Sequence, residues 1–394
     1  MDAVDQSFFD IVHDRRNTSS VKYHLSPCAY PGEVIPMWVA DMDFKVAPVI
    51  EEALVATARH GIFGYAKPDA DYDAQVINWY RRRHGWDIQP QWIHKVPGVL
   101  FGLTAAIRAL TEPGDRILIC QPVYYPFANL IAGNGRQTVV SPLSLVRGRY
   151  EIDFTDFEAQ IAAHQVKLFV LCSPHNPVGR VWTEDELRKI AQICCKHDVY
   201  IVSDEIHGDF VYPGNRHIPI ASLGEEIAAR TITCTAPTKT FNLAGIQAAQ
   251  LIISEDVLRR KIRKVCHATG YGSLNAMAIS ATKAAYAEGE PWLEALLAYL
   301  QGNIAILQKL CEDSGGKLKL IAPEGTYLMW LDCRELGIPA EGLEDFFLQK
   351  AGVWLENGTV FGQGGEGFVR MNIACPRTIL QEALARIRQA INNI

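Results

Sequence analysis

A lysine within a stretch of small and apolar residues is the first candidate for chemistry in this sequence. Lys239 lies in the segment APTKTFNLAG (236–245), which contains no other charged residue. A lysine in such surroundings loses hydration, its pKa falls, and its amine can form a Schiff base with a carbonyl compound. Most lysines instead lie at the surface, so this segment alone leaves both interpretations open.

An aspartate and an asparagine follow two other apolar runs. Asp204 comes directly after VYIVS (199–203). An acid at that point is costly to leave unpaired, so it either meets a cationic partner or caps the next helix. Asn176 lies in SPHNPVG (173–179), where two prolines and a glycine indicate a rigid turn. Its amide is a candidate ligand donor, although a plain turn explains the same pattern.

A glycine-containing turn before a helical run is the third feature. Residues 97–102 (PGVLFG) precede the predicted helix 103–110, and such a turn presents free backbone N–H groups to an anion. The turn lacks both the Walker A lysine and the glycine spacing of dinucleotide sites. An anion site, an asparagine, an aspartate and a desolvated lysine together match pyridoxal 5'-phosphate (PLP). This cofactor needs partners for its phosphate, phenolic oxygen and pyridinium nitrogen, and a Schiff-base lysine.

Short apolar runs alternate with helical stretches through the middle of the chain. Such runs are typical of strands buried on both faces. The alternation predicts an α/β fold with a mainly parallel central sheet between helices, in which ligands bind at the carboxyl ends of the strands. The predicted strands are residues 93–96, 116–120, 167–172, 199–203, 231–235 and 248–254, with a predicted helix at 184–197.

The C-terminal third has a different order of elements. Helical signals dominate from 273 to 308, and the strand-like segments 325–333 and 368–374 follow. This order predicts a smaller C-terminal α+β domain. We expect an N-terminal arm or part of the small domain at 1–45, a large PLP-binding domain at 46–285 and the small domain at 286–394.

Composition excludes several classes of protein. The 394 residues are 48% apolar and 21% charged, as in an ordinary soluble globular protein. The formal net charge of -6 argues against nucleic acid as a partner. The acidic first 16 residues do not form a signal peptide, and prolines and glycines in the uncharged run 117–135 argue against a membrane span. The ten cysteines are typical of reduced, buried residues in a cytoplasmic protein.

Five ordered motifs resemble one enzyme family. They are PMWVADMDF (36–44), SPHNPVGRVW (173–182), SDEIHGDFV (203–211), PTKTFNLAG (237–245) and FVRMNIACPR (368–377). These segments are similar to those of fold-type I PLP-dependent enzymes, the class I/II aminotransferase superfamily. The resemblance runs from about residue 30 to the C-terminus and is closest to the branch of MalY/PatB-type cystathionine β-lyases (C–S β-lyases). It implies the fold-type I architecture and PLP as cofactor.

The resemblance implies a role around PLP for each matching residue. Lys239 matches the Schiff-base lysine, Asp204 the carboxylate on the pyridinium nitrogen, and Asn176 the donor to the phenolic oxygen. Tyr124 matches the aromatic residue that stacks on the ring, with Tyr125 as a neighbouring rival. The other cofactor-binding positions are Val99 and Leu100 for the phosphate, His207 and Thr238. Tyr65 matches a tyrosine that reaches the phosphate of the neighbouring subunit, so the resemblance implies a homodimer.

The resemblance also implies a substrate site. Arg370 matches the arginine that clamps the substrate α-carboxylate, and a bidentate guanidinium–carboxylate pair explains why that position needs arginine. We expect Ala40 to offer backbone contacts to the carboxylate. The ring of Trp38 is a candidate to pack on a thioether side chain, although a core tryptophan explains it equally, and Tyr327 is expected to face the site from the small domain.

Three positions depart from the pattern of aminotransferases. His207 replaces a tyrosine, Gln247 replaces a phosphate-binding arginine, and Ala236 replaces a serine. The histidine and the glutamine resemble the lyase branch. The missing phosphate contacts leave the hydroxyl of Thr235 or Thr238 as a substitute.

The family resemblance implies a C–S β-lyase acting on L-cystathionine or a related cysteine S-conjugate, with a thiol, pyruvate and ammonia as products. Lys239 would remove the α-proton. An aminotransferase uses the same residues and stays an alternative, as does a regulatory protein that binds a protein partner on this fold. The expected setting is a cytoplasmic homodimer with a small amino-acid substrate and without membrane or nucleic-acid partners.

Overall fold

The computed structural model describes residues 5–24 and 33–394. The strands within these residues are β1 (Ile35–Pro36), β2 (Ile93–Val96), β3 (Arg116–Ile119), β4 (Gln137–Val140), β5 (Leu143–Val146), β6 (Arg149–Ile152), β7 (Leu168–Cys172), β8 (Tyr200–Asp204), β9 (Thr231–Thr235), β10 (Ala249–Ile252), β11 (Lys319–Leu320), β12 (Leu328–Asp332), β13 (Val353–Trp354), β14 (Glu356–Asn357) and β15 (Phe368–Asn372).

The α-helices within the same residues connect and cover these strands. They are α1 (Val21–His24), α2 (Pro48–His60), α3 (Ala70–His84), α4 (Val99–Leu110), α5 (Pro126–Gly133), α6 (Phe154–His164), α7 (Glu184–Lys196), α8 (Glu225–Ala228), α9 (Pro237–Thr240), α10 (Asp256–Ala268), α11 (Ala276–Glu288), α12 (Glu290–Asp313), α13 (Leu343–Phe346) and α14 (Arg377–Asn392).

A seven-stranded sheet forms the centre of the molecule. Its strand order is β2-β10-β9-β8-β7-β3-β4, and only β10 runs antiparallel to its neighbours. Alternate residues of β7 belong to two different apolar clusters, one on each face of the sheet. Burial on both faces explains why these strands read as continuous apolar runs. The predicted α/β fold with a mainly parallel sheet is confirmed, and the antiparallel direction of β10 is a feature that the apolar pattern did not show.

Capping residues set the ends of the helices around the sheet. Helix α7 begins with a capping box, in which the Thr183 hydroxyl accepts from the backbone N–H of Glu186 while the Glu186 carboxylate accepts from the backbone N–H of Thr183. Asp69 caps the N-terminus of α3, where its side chain accepts from the backbone N–H of Tyr72, and Gly85 with φ 63° caps the C-terminus. The predicted helix at 184–197 is confirmed, ending one residue earlier.

A second, four-stranded antiparallel sheet lies in the C-terminal part of the chain. Its order is β11-β12-β15-β14, and α12 and α14 pack together beside it. The N-terminal segment joins this region, because β1 pairs in parallel with β13. Part of the predicted arm (1–45), namely residues 1–4 and 25–32, lies outside the described residues.

The predicted domain boundary falls in continuous helix. Residues 285 and 286 lie inside α11, and the nearest break between helices is at Gly289, before α12. The three-part division of the chain therefore stays a prediction. No helix in the described part of the chain is long and apolar enough to cross a bilayer.

Candidate active site

Three neighbouring strands bring the predicted site residues to one edge of the central sheet. In the register of β7, β8 and β9, Asp204 lies opposite Cys172 on one side and Cys234 on the other. Asn176 lies in the turn after β7, and Lys239 lies in α9, which follows β9. Parallel strands end at the same edge, so residues distant in sequence meet there.

A cavity of about 440 Å³ opens at this edge. It contains nine of the predicted positions: Ala40, Val99, Leu100, Tyr124, Asn176, Asp204, His207, Thr238 and Lys239. The other lining residues are Pro97, Gly98, Phe101, Cys172, Ile206, Ala244 and Gln247. Cys172, predicted to be a buried structural cysteine, forms part of the cavity wall. Its position as the last strand residue before the SPHNPVG turn was the available signal.

The Lys239 amine is held at the cavity wall. Its Nζ donates a hydrogen bond of 2.6 Å to the carbonyl oxygen of Ala40, which also accepts from the Tyr327 hydroxyl at 2.9 Å. Burial lowers the pKa of Lys239 to about 8, and the positive charge of Arg370 acts in the same direction. Asp41 and Asp204 act in the opposite direction. Part of the lysine population is therefore unprotonated near neutral pH.

Asp204 is the last residue of β8 and is almost fully buried. Its carboxylate accepts one hydrogen bond, from the backbone N–H of Ile206 at 3.2 Å. Burial raises its pKa to about 7, against the lowering effect of the Lys239 charge. No arginine or lysine lies within ion-pair distance of this carboxylate among the described residues, so it can take a cationic group in the cavity.

Arg370 and Asn176 are joined directly. The Arg370 Nη1 donates to the Asn176 Oδ1 at 3.1 Å, and its Nη2 donates to the Trp38 carbonyl at 2.7 Å. The Arg370 Nε is buried and has no hydrogen-bond partner in the described part of the chain. The bond to Oδ1 leaves the Asn176 amide nitrogen as a donor, and the vacant Nε leaves the guanidinium able to bind a further acceptor.

The N-terminus of α4 offers an anion site in the cavity wall. The helix begins after Gly98, and no side chain caps its first N–H groups. Thr238 lines the same cavity, whereas the hydroxyl of Thr235 is hydrogen-bonded to Tyr80. Of the two substitutes expected for the missing phosphate contacts, only Thr238 therefore faces the site.

Three rings surround the polar groups. Burial lowers the pKa of His207 to about 3, so this imidazole is neutral near pH 7. Burial raises the pKa of Tyr124 to about 12, so its hydroxyl stays protonated. Tyr125 packs on Phe361 outside the cavity lining, which favours Tyr124 over its rival. Tyr327 lies behind the wall, edge-on to His207 at 5.9 Å between centroids.

Arg370 and Tyr327 do not themselves line the cavity, and two further predicted residues, Trp38 and Tyr65, lie away from it. The ring of Trp38 stacks on Trp354 with 4.4 Å between the ring centroids, and the Trp38 carbonyl accepts from Arg370. The packing of this ring on a substrate side chain stays a prediction. Tyr65 is fully exposed, as are most of Ile62 and Phe63 beside it. Within one chain it is not among the residues that line the cavity.

The chain is similar to known proteins over nearly its whole length. A family model described as aminotransferase class I and II matches residues 33–387. The chain is 42% identical over 385 residues to the cystathionine beta-lyase PatB of Bacillus subtilis (strain 168), covering 98% of this chain and 100% of that protein. A PLP-bound candidate aminotransferase from Clostridium difficile 630 superimposes with a TM-score of 0.95 at 43% identity, over 98% of this chain and 99% of that one. A PLP-bound C–S lyase from Staphylococcus hominis superimposes with a TM-score of 0.89 at 33% identity, over 97% and 98% of the two chains.

Proposed function

Because the chain belongs to the class I and II aminotransferase family, as its five motifs predicted, we propose that it is a PLP-dependent C–S β-lyase. Its substrate is L-cystathionine or a related cysteine S-conjugate, cleaved by α,β-elimination to a thiol, pyruvate and ammonia. The observation that carries this proposal is the single cavity in which Lys239, Asp204 and Asn176 face the uncapped N-terminus of α4. The two lyases among the similar proteins support the choice of reaction.

The cavity residues fit each part of PLP. The buried Asp204 carboxyl, without a cationic partner among the described residues, suits the pyridinium nitrogen. The amide nitrogen of Asn176 is directed by the Arg370 bond to donate, which suits the phenolic oxygen. The N–H groups of Val99 and Leu100 with the Thr238 hydroxyl suit the phosphate, and Tyr124 offers a ring at the wall.

The chain's own residues supply the acid–base chemistry. When bound, PLP supplies an electron sink for the pair left by cleavage of the substrate Cα–H bond. Lys239, with a pKa of about 8, is the base that takes the α-proton, and the Ala40 carbonyl holds its amine at the cavity wall. His207 is neutral and has no charge to compete with the cofactor for Asp204.

Arg370 is the residue that orients the substrate. Its Nε has no partner among the described residues, and Nη2 keeps a second N–H beside the one donated to Trp38, so these two nitrogens can bind an α-carboxylate in the bidentate manner while Asn176 holds Nη1. The guanidinium is almost fully buried, so a carboxylate that reaches it binds in a medium of low dielectric constant. Such binding fixes the Cα–H bond relative to Lys239.

A second copy of the chain completes the proposal. Tyr65, Ile62 and Phe63 form an exposed apolar cluster on the segment after α2, which is typical of a surface covered by a partner. We propose a homodimer in which Tyr65 reaches the phosphate in the neighbouring subunit. A Tyr65→Phe protein should stay dimeric by light scattering but bind PLP several-fold more weakly, and unchanged PLP affinity would contradict this role.

A turnover assay tests the reaction. The PLP-loaded protein is incubated with L-cystathionine without any 2-oxo acid, and pyruvate and free thiol are measured over time. Sustained release of both in equal amounts supports the lyase. Absence of turnover, followed by amino transfer once a 2-oxo acid is added, would establish the aminotransferase instead. If neither occurs while the protein still captures a protein partner, the regulatory alternative holds.

Chemical trapping tests the lysine separately. Reduction of the PLP-loaded protein with borohydride should place a pyridoxyl group on Lys239 alone, as mapped by peptide mass spectrometry. Lys45, an exposed lysine on the same chain, is the internal control and should stay unmodified. A pyridoxyl group on a different lysine would refute the assignment of Lys239.

A further inference from the structure

A second buried carboxylate contacts the proposed substrate arginine. Glu356 lies directly opposite Arg370 in the register of β14 and β15, and its Oε2 is 3.5 Å from the Arg370 Nη2. The side chain of Glu356 is 15% exposed and that of Arg370 3% exposed. None of the steps assigned above uses this glutamate.

Two anions must share one guanidinium when a substrate binds. The α-carboxylate of the substrate would occupy Arg370 beside the Glu356 carboxylate already there. Carboxylates a few ångströms apart in a buried site disfavour double ionisation, and one of them takes up a proton. The substrate carboxylate gains a bidentate pair with Arg370, whereas Glu356 makes only one long contact with it. Glu356 is therefore the carboxylate that takes up the proton.

From this geometry we infer that Glu356 is a specificity-determining residue of the Arg370 site, which takes up a proton from solvent as the substrate carboxylate binds. The inference rests on the proposed function through the role of Arg370. It makes binding of a carboxylate ligand at Arg370 tighter at lower pH, until Glu356 is protonated in the free protein as well.

The charged and titratable groups around Glu356 agree with this inference. Burial raises the pKa of Glu356, the negative charge of Glu344 adds to the rise, and the positive charge of Arg370 opposes it. Tyr125 is the other titratable group that faces it, and burial raises the pKa of Tyr125, so this phenol stays neutral. Glu356 is thus already biased toward protonation before a second carboxylate arrives.

A carboxylate that lacks an amino group isolates this step from the reaction. 3-(Methylthio)propionate resembles the acid and thioether portions of a cysteine S-conjugate but has no amine to react. Its binding to the PLP-loaded protein is measured by isothermal titration calorimetry between pH 6 and 9, in two buffers of different ionisation enthalpy. The buffer dependence gives the number of protons taken up, and no turnover is needed.

Matched variants assign the proton. The wild-type protein should take up close to one proton in part of this pH range, and its dissociation constant should rise with pH. Glu356→Gln should bind the probe at least ten-fold more tightly at pH 8 and lose this uptake. Glu344→Gln, which removes a nearby carboxylate that does not contact Arg370, should keep it. Lys239 and the cofactor are the same in all three proteins, so the difference between them reports Glu356.

The outcomes separate the inference from the proposed function. Proton uptake that persists in Glu356→Gln, or probe binding no tighter than in the wild type, would overturn the role of Glu356 alone. Absence of binding to the wild-type protein would overturn the carboxylate site and the inference with it. Proton-coupled binding without release of pyruvate from L-cystathionine would support the inference while the proposed reaction fails.

Discussion

Replacing Lys239 with methionine should stabilise the cofactor-free protein, although it removes the residue proposed to act as base. Burial lowers the pKa of this lysine from its ordinary 10.5 to about 8. Each pKa unit corresponds to about 1.4 kcal/mol, so keeping the amine protonated in the folded state at pH 7 costs on the order of 3 kcal/mol. Methionine has a similar shape and no charge. It loses the bond to the Ala40 carbonyl, worth about 1.5 kcal/mol.

The expected gain in unfolding free energy for Lys239→Met is therefore about 1–2 kcal/mol at pH 7. It should shrink as the pH rises. Between pH 8 and 10.5 the folded wild-type protein has released the lysine proton while the unfolded chain still binds it. The unfolded state binds more protons in this window, so wild-type stability increases with pH there, whereas the methionine variant has no such gain.

Urea unfolding of the two cofactor-free proteins at pH 7 and pH 10, followed by tryptophan fluorescence, measures both differences. PLP must be removed first, because a ligand that binds only the folded state would hide the effect. Lys45→Met is the control, since this lysine is 53% exposed and its substitution should change stability by less than about 0.5 kcal/mol. A Lys239→Met protein less stable than the wild type at pH 7, or an advantage that is equal at both pH values, would refute the reasoning.

Three further substitutions test other parts of the structure. Arg370→Lys should lower kcat/KM for an amino-acid substrate by about 100-fold, because an ammonium cannot form the bidentate pair, and steady-state kinetics would show an unchanged value if the carboxylate binds elsewhere. Lys22→Met should destabilise the protein by about 2–4 kcal/mol in urea unfolding, because Lys22 is 1% exposed and lies 2.6 Å from the buried Asp43; an effect as small as that of Lys45→Met would show that Arg15 suffices for Asp43. Gly358→Ala should lower the free energy of unfolding by at least about 2 kcal/mol in thermal unfolding, because the added Cβ would lie 2.1 Å from the Gly365 carbonyl oxygen. Gly133→Ala is the control and should be tolerated, because its added Cβ would have nothing within 4 Å.

Local sequence patterns predicted the strands of the central sheet and the polar residues at its carboxyl edge well. The apolar runs marked β3, β7, β8, β9 and β10 within one or two residues, because burial on both faces leaves a continuous signal. The polar residues that follow these runs meet in the cavity because parallel strands share an edge. Strand direction has no such signal, which is why the antiparallel β10 was not predicted.

Contacts between distant segments could not be predicted from the pattern. The stacking of Trp38 on Trp354 lies beside the pairing of β1 with β13, and no spacing of residues in the sequence predicts it. The pairing of Glu356 with Arg370 depends on the register of two strands. The ion pairs of Arg15 and Lys22 with Asp43 likewise depend on how the N-terminal segment folds back. Each of these contacts is set by tertiary packing, which a single sequence does not encode locally.

The hydrogen bond between Arg370 and Asn176 has a thermodynamic consequence. In the proposed assignment, one end of Asn176 serves the substrate arginine and the other end serves the phenolic oxygen of PLP. The binding of two ligands that contact one side chain is linked. If the first ligand changes the affinity of the protein for the second by some factor, the second changes the affinity for the first by the same factor. A carboxylate on Arg370 that tightens the hold on PLP must itself bind more tightly to the loaded protein. Retention of the cofactor during dialysis then depends on the concentration of the amino acid that the enzyme consumes.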